Sequence, residues 1–393
     1  LNGLPSYVGP AALGLKMGVF VPGSDLVGDI VERAKDCARD GLIDDGDVLC
    51  ITESVVARVQ DNFVTTDDVA QEVRRALGVK AGSTVGVLFP IVSRNRFSLI
   101  LEGIAKAVPG GQVIVQLSYP RDEVGNQTID PRFLEKRNLA EDYIPSEGLD
   151  ARAFVHPVTK VDYVAYYKQI IENEGVTPRV YFSNEAARIA QFQPDGVIVA
   201  DVHDRRETKA KLDQVYANSV TLQELCTSGR GWSEWGLLGS NKSAGNRLKL
   251  APRDGDRIVR DIQARIKEAT GKQVEVIIYG DGAYKDPTTG IYELADPQTV
   301  FAATCGLQNR MRTGLKYKYL ADILHFEGKS EEEIEALIES KRGDVLSDDS
   351  IEAEGTTPRQ LTDVLASLAD LVSGSADAGT PVVLIKGLTS SSK

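Results

Sequence analysis

Short β-branched runs alternate with capped, amphipathic stretches along this chain, and that alternation restricts it to folds that layer helices on sheets. Pro22-Gly23-Ser24-Asp25 is a turn ending in residues that cap helices, and L-V-G-D-I-V-E-R-A-K-D-C-A behind it repeats apolar positions at helical spacing. D-D-G-D then gives a turn and Val48 to Thr52 a short buried strand, with Glu53 and Ser54 at its C-terminal end. A capped helix in T-T-D-D-V-A-Q-E-V-R-R-A-L, a strand in G-S-T-V-G-V-L-F-P-I-V and a helix in F-S-L-I-L-E-G-I-A-K-A follow. The same patterns predict strands at Gly111 to Leu117, R-V-Y-F and G-V-I-V-A, and helices in V-D-Y-V-A-Y-Y-K-Q-I-I-E-N-E and from Asp256 to Thr270. An acidic helix in S-E-E-E-I-E-A-L-I-E-S, a capped one in T-T-P-R-Q-L-T-D-V-L-A-S-L-A-D-L-V and a closing strand in T-P-V-V-L-I-K-G complete the series. Such mixing means α/β or α+β layering without fixing one topology.

At 393 residues the chain is longer than one ordinary domain, so two or three are expected. Hydrophobic residues make up 42% and charged residues 26%, and no apolar run is long enough to span a bilayer. The opening L-N-G-L-P-S-Y-V-G-P lacks the basic segment and apolar core of a secretory signal. Four cysteines without C-x-x-C spacing and three scattered histidines make neither a zinc site nor a disulfide scaffold, so a cytoplasmic protein is expected. A net charge of −12 repels polyanions from the average surface and argues against nucleic acid as a partner, though a local basic pocket is still allowed.

Six stretches hold residue types suited to chemistry. In I-I-Y-G-D-G-A-Y-K-D-P, Ile277 to Pro287, a buried strand ends in Asp281 between Gly280 and Gly282. Such a carboxylate can hold Mg²⁺, although Asp and Gly are also ordinary turn residues. Ser93-Arg94-Asn95-Arg96 sets two guanidinium groups where a strand passes into a helix, which suits a phosphate or carboxylate or is simply a solvated helix start. Gly239-Ser240-Asn241-Lys242-Ser243 offers small residues, an amide and an ammonium to phosphates, without the spacing of a Walker A loop. Asp122-Glu123 and Asp201-x-His203-Asp204-Arg205-Arg206 are either metal and phosphate contacts or self-paired surface charge. Tyr163, Tyr166 and Tyr167 at helical spacing read as core aromatics or as the wall of a pocket.

Taken in order, P-G-S-D-L, D-G-D-V-L-C-I-T-E-S-V-V-A-R, S-R-N-R-F-S-L-I-L-E-G-I-A-K, W-G-L-L-G-S-N-K-S, L-K-L-A-P-R-D and I-I-Y-G-D-G-A-Y-K-D-P resemble the coenzyme F420-0:L-glutamate ligase (γ-glutamyl ligase) family. Y-E-L-A-D-P, T-T-P-R-Q-L-T-D and S-G-S-A-D-A-G-T-P-V-V look like its longer bacterial form, over nearly the whole chain. The resemblance implies a two-domain α+β fold with mixed sheets and flanking helices, usually a homodimer. Residues 1–115 would form the N-terminal part of the core, 116–230 an inserted substrate-side region and 231–393 a C-terminal part with the metal and nucleotide loop.

The implied activity joins a small-molecule carboxylate to L-glutamate or another amino acid through an acyl phosphate, with GTP or ATP as co-substrate, Mg²⁺ or Mn²⁺, and K⁺ as a further ion. Asp281 falls on a family metal ligand, whereas a second family Asp is replaced by Leu238, so Asp122, Glu123 or Asp286 is expected to supply the other acid. Ser93, Asn95, Ser240, Asn241, Lys242, Gly280, Gly282 and Lys285 would surround the nucleotide. Arg94 or Arg96 would fix a substrate carboxylate, and Glu53 or Asp122 would take the amine's proton. The alternatives are a metal-dependent phosphotransferase or nucleotide hydrolase, and a non-catalytic nucleotide-binding homologue.

Overall fold

The computed structural model describes residues 7–135, 142–281, 295–312, 314–341, 350–352, 359–373 and 379–389. Strand Val48–Thr52 lies at the centre of a five-stranded sheet ordered Ala11–Leu15, Val382–Lys386, Val48–Thr52, Glu275–Tyr279, Val300–Ala303. Val48–Thr52 and Glu275–Tyr279 run parallel and the other pairs antiparallel. Both faces are covered, so these strands read as unbroken apolar runs in place of alternation. Leu49, Ile51, Val276 and Ile278 meet helices Leu26–Arg39 and Gly255–Thr270 on one face. Val48, Cys50, Ile277 and Tyr279 meet helix Leu361–Ser373 on the other.

A second sheet has six strands, in the order Ile144–Pro145, Thr177–Phe182, Gln112–Leu117, Thr84–Leu88, Gly196–Val199, Ser219–Thr221. All pairs are parallel except the edge pair made by Ile144–Pro145. Helices Thr66–Leu77, Ser98–Ala107 and Tyr163–Asn173 bury one face through Val69, Val73, Ile100, Ile104, Val164 and Tyr167. Ala186, Ile189 and Leu212 cover Val197 and Val199 on the other. Thr65 and Asp68 close a reciprocal capping box at the start of Thr66–Leu77, and Gly78 ends that helix in the left-handed conformation.

The chain builds this sheet outward from Thr84–Leu88 on one side, then returns to add Gly196–Val199 on the other. At such a reversal the loops after two neighbouring parallel strands diverge and leave a crevice at their C-terminal ends. The loop that leaves Thr84–Leu88 there carries Ser93-Arg94-Asn95-Arg96. A small antiparallel sheet, Asn241–Lys242, Arg247–Lys249 and Phe63–Thr65, completes the surroundings of that crevice. The architecture is thus a mixture of helices with mixed sheets, as an α+β reading expects. Among the described residues no helix is long and apolar enough to cross a membrane.

Candidate active site

The C-terminal ends of Val48–Thr52 and Glu275–Tyr279 face the Ser93–Arg96 loop across a cleft of about 630 Å³. Arg58, Arg94, Arg96, Lys242 and Lys249 bring cations to its lining, and Glu53, Asp281 and Asp296 bring carboxylates. Arg96 joins the two sets. Its Nη2 donates to Asp281 Oδ2 at 2.7 Å and its Nη1 to Asp296 Oδ1 at 2.5 Å, while Asp296 Oδ2 accepts the Asp281 backbone N–H at 2.9 Å. Burial works against the guanidinium charge, but Asp296, Asp281 and Glu53 outweigh it and raise the Arg96 pKa above its ordinary value.

Glu53 is the second buried acid. Both its oxygens accept from Lys249 Nζ, at 2.6 and 2.8 Å, and both side chains are less than a tenth exposed. Burial pushes the Glu53 carboxyl up, Lys249 pulls it down and Asp296 adds to the rise, which leaves it raised. Lys249 is brought there by the Arg247–Lys249 strand, whose register sets it opposite Phe63 and Asn241.

The two loop motifs are hydrogen-bonded to each other. Asn95 Nδ2 donates to Asn241 Oδ1 at 3.0 Å and the Lys242 N–H to the Asn95 carbonyl at 2.8 Å. Tyr167 fixes the loop from below, since its hydroxyl donates to the Ile91 carbonyl and accepts the Ser93 N–H. Tyr167 is therefore a core aromatic, whereas Tyr163 lines the cleft. His156 also lines it; its Nδ1 accepts the Val158 and Thr159 N–H groups, which puts the proton on Nε2, and burial lowers its pKa.

Gly280 owes its identity to space. A Cβ there would stand 2.4 Å from Asp296 Oδ2 and 2.7 Å from Phe301 Cε2, so only glycine lets Asp296 come against the strand end.

The structure thus gathers Glu53, Ser93, Arg94, Asn95, Arg96, Asn241, Lys242, Gly280 and Asp281 on one cleft. Ser240 sits behind it, 2% exposed, with a hydroxyl that has no partner among the described residues. Gly282, Lys285 and Asp286 lie outside the described residues.

Asp122 and Glu123 are engaged by backbone N–H groups, and Asp122 sits directly behind Val92 and Asn126 of the cleft lining. Asp122 accepts from Val92 N–H, Asn126 N–H and the Asn126 amide at 2.7–2.9 Å, and burial raises its carboxyl to about 6. Glu123 accepts from the N–H groups of Val202, His203 and Asp204. Leu238 is packed in the core beside Leu237. Of the charge cluster that follows, Asp201 accepts from Thr208 Oγ1 and Arg205 packs over the Trp235 ring, while Arg205–Leu212 forms a helix.

Asp296, Lys249 and His156 are the site residues that local patterns miss. Asp296 and Lys249 lie inside family-like stretches, Y-E-L-A-D-P and L-K-L-A-P-R-D, but neither has a neighbouring glycine turn or charged partner in sequence to mark it.

Whether the residues fit a divalent cation is answered by the carboxylates. Asp281 and Asp296 reach one guanidinium and so are close enough to share a cation, and their hard oxygens suit Mg²⁺ or Mn²⁺. Glu53 and Asp370 line the same cleft, with Arg58, Arg94, Arg96, Lys242 and Lys249 as its cations. No group of three or more His, Cys, Asp or Glu side chains suited to a metal occurs among the described residues. Two carboxylates are within the number that Mg²⁺ takes from a protein when phosphate oxygens and water complete its shell.

No curated protein matches the sequence. A family model described as F420-0:gamma-glutamyl ligase matches residues 14–387, and the chain accordingly belongs to that family of ligases, which form carbon–nitrogen amide bonds.

Proposed function

We propose that this protein is a nucleotide- and divalent-metal-dependent ligase that joins a small-molecule carboxylate to the amine of glutamate or a similar amino acid through an acyl phosphate. The observation that carries the reading is one cleft whose lining brings five cations together with Asp281 and Asp296. A carboxylate is a poor electrophile because its leaving group would be oxide. Transfer of the γ-phosphoryl of GTP or ATP to a carboxylate oxygen supplies a phosphate leaving group instead.

On this reading Lys242 faces the phosphates, and Arg94 fixes the acceptor carboxylate with a guanidinium fork. Asp281 and Asp296, the latter in place of Asp122 and Glu123, would hold Mg²⁺ or Mn²⁺. Such a cation, when bound, neutralises charge developing on the transferring phosphoryl oxygens. Arg96 keeps the two carboxylates together. Glu53, raised by burial, is the group suited to take a proton from the amine. A homodimer and the K⁺ ion belong to the same proposal.

Calorimetric titration with GTP and with ATP, each with Mg²⁺ and after chelation, tests it, followed by phosphate release with carboxylate and amine pairs. Metal-dependent binding of one nucleotide and amine-dependent phosphate release are expected, both lost in Asp281→Asn with the fold intact. Phosphate release indifferent to any amine would make the protein a hydrolase or phosphotransferase. Tight nucleotide binding without metal or turnover would make it a binding protein.

A further inference from the structure

One part of the cleft lining comes from the middle of the chain, as Val124, Asn126, His156, Thr159 and Tyr163, and the ligase reading leaves it without a task. His156 is its buried titratable donor, at 2% exposure. Nδ1 accepts the N–H groups of Val158 and Thr159 at 3.3 and 3.1 Å, so the ring proton sits on Nε2. Among the described residues no acceptor meets that Nε2–H. The imidazole therefore brings to the cleft one unpaired donor, locked in one tautomer.

The backbone around it is fixed. The His156 N–H donates to the Val161 carbonyl and the His156 carbonyl accepts the Lys160 N–H, which closes a tight turn with Lys160 in the left-handed conformation. Asp162 then caps helix Tyr163–Asn173 through the Ala165 N–H. Tyr163, at the start of that helix, meets the imidazole edge-on with ring centroids 6.1 Å apart and lies beside Arg94. Tyr167, one turn on, holds Ile91 and Ser93 at the root of the arginine loop. One helix thus sets His156 and Arg94 relative to each other.

Burial keeps the ring neutral by lowering its pKa. A neutral donor makes a different demand from an arginine. It takes an oxygen lone pair whether or not that oxygen carries charge, and a hydrocarbon group packed against it would bury the N–H without a partner. We infer that His156 is a specificity-determining residue: its Nε2–H donates to a second oxygen group of the acceptor substrate while Arg94 holds the carboxylate that is to be activated. The cleft then selects carboxylic acids that bear a further carboxylate or carbonyl and turns away those that end in hydrocarbon. This assignment deepens the ligase reading given above and rests on it for the role of Arg94.

The test uses the full chain and three acids of equal carbon-chain length as probes: glutarate, its monomethyl ester and valerate. Ligand-observed NMR reads their binding with and without nucleotide, and calorimetry reads nucleotide affinity. The wild type should prefer the acids with a second oxygen group to valerate on the order of tenfold. Preference for glutarate alone upholds the contact and makes the second group a carboxylate; preference for the ester as well upholds it for any carbonyl oxygen. His156→Asn sets an amide oxygen where Nδ1 accepts, which keeps the turn but brings no donor to the Nε2 position, so the preference should vanish with melting temperature and nucleotide affinity nearly unchanged. His156→Gln, whose amide reaches the Nε2 position, should restore it. Equal binding of the three acids by the wild type, no binding of any, a preference unchanged in His156→Asn, or one lost in both variants overturns the assignment; amine-dependent phosphate release would then leave the ligase reading standing. A preference lost in His156→Asn and restored in His156→Gln, in a protein that binds neither GTP nor ATP, upholds the contact and overturns the ligase reading alone.

Discussion

Arg96→Ala removes a guanidinium that both Asp281 and Asp296 contact, and its effect can be worked out from those contacts. The guanidinium is 14% exposed and Asp296 only 2%, with contacts at 2.7 and 2.5 Å. Removing one side of a buried ion pair leaves the acid short of its counter-charge, which costs about 3–5 kcal/mol. Against a total stability of roughly 5–15 kcal/mol, such a variant folds but with a clearly lower unfolding midpoint. The loss depends on pH. Without Arg96 the two carboxylates face each other without that cation between them, and their repulsion acts only while both are charged. Wild type and variant should therefore differ most near neutral pH and converge as pH falls toward about 4. Urea unfolding followed by circular dichroism, in chelator, at about pH 7.5 and about pH 4.5 measures both numbers. Adding Mn²⁺ at the higher pH should restore part of the loss, since a divalent cation supplies the missing charge. A deficit under about 1 kcal/mol, or one equal at both pH values, would refute the clamp.

Lys249→Met should destabilise by about 3–5 kcal/mol because it strands buried Glu53, while Glu53→Met with Lys249→Met should recover most of it in denaturant melts; a double variant as unstable as the single one would argue against a paired charge. Asp122→Ala should lower stability by about 1–3 kcal/mol by orphaning the Val92 and Asn126 N–H groups, and leave Mn²⁺ affinity unchanged. Loss of Mn²⁺ binding at full stability would return Asp122 to the metal site. Gly280→Ala should push Asp296 aside and weaken Mn²⁺ binding on the order of tenfold, measured by titration, with little change in melting temperature. An unaltered Mn²⁺ affinity would remove Asp296 from the proposed pair.

The elements that were legible in the sequence are those whose signals are local. Asp25 caps Leu26–Arg39 and Thr65 with Asp68 caps Thr66–Leu77, as their spacing predicts, and the apolar runs at Val48–Thr52, Gln112–Leu117 and Glu275–Tyr279 are strands. What escaped was set by pairing across the chain. Ala11–Leu15 is a strand because Val382–Lys386 lies beside it, and Arg247–Lys249 because Phe63–Thr65 does. Neither has the length or composition to announce itself. Arg205–Leu212 reads as surface charge and is a helix, because Thr208 and Leu212 turn inward while its charges stay outside.

The site divides in the same way. Asp281 and the Ser93–Arg96 loop stand out because glycines and arginines crowd a strand end, a signal contained in a few residues. Asp122 and Glu123 stand out for the same reason, yet adjacent acids also serve to hold loops, and here each accepts backbone N–H groups that would otherwise lack partners. Asp296 is invisible locally: it is 200 residues from Arg96 in sequence and acquires its meaning only when the Arg96 guanidinium crosses the cleft. Leu238 is apolar because it packs in the core with Leu237, and on the proposed reading the second acid beside Asp281 is Asp296, just ahead of the strand that pairs with Tyr279. A carboxylate pair made this way is held by an arginine from the loop after Thr84–Leu88, so one guanidinium and two acids tie the two sheets together across the cleft.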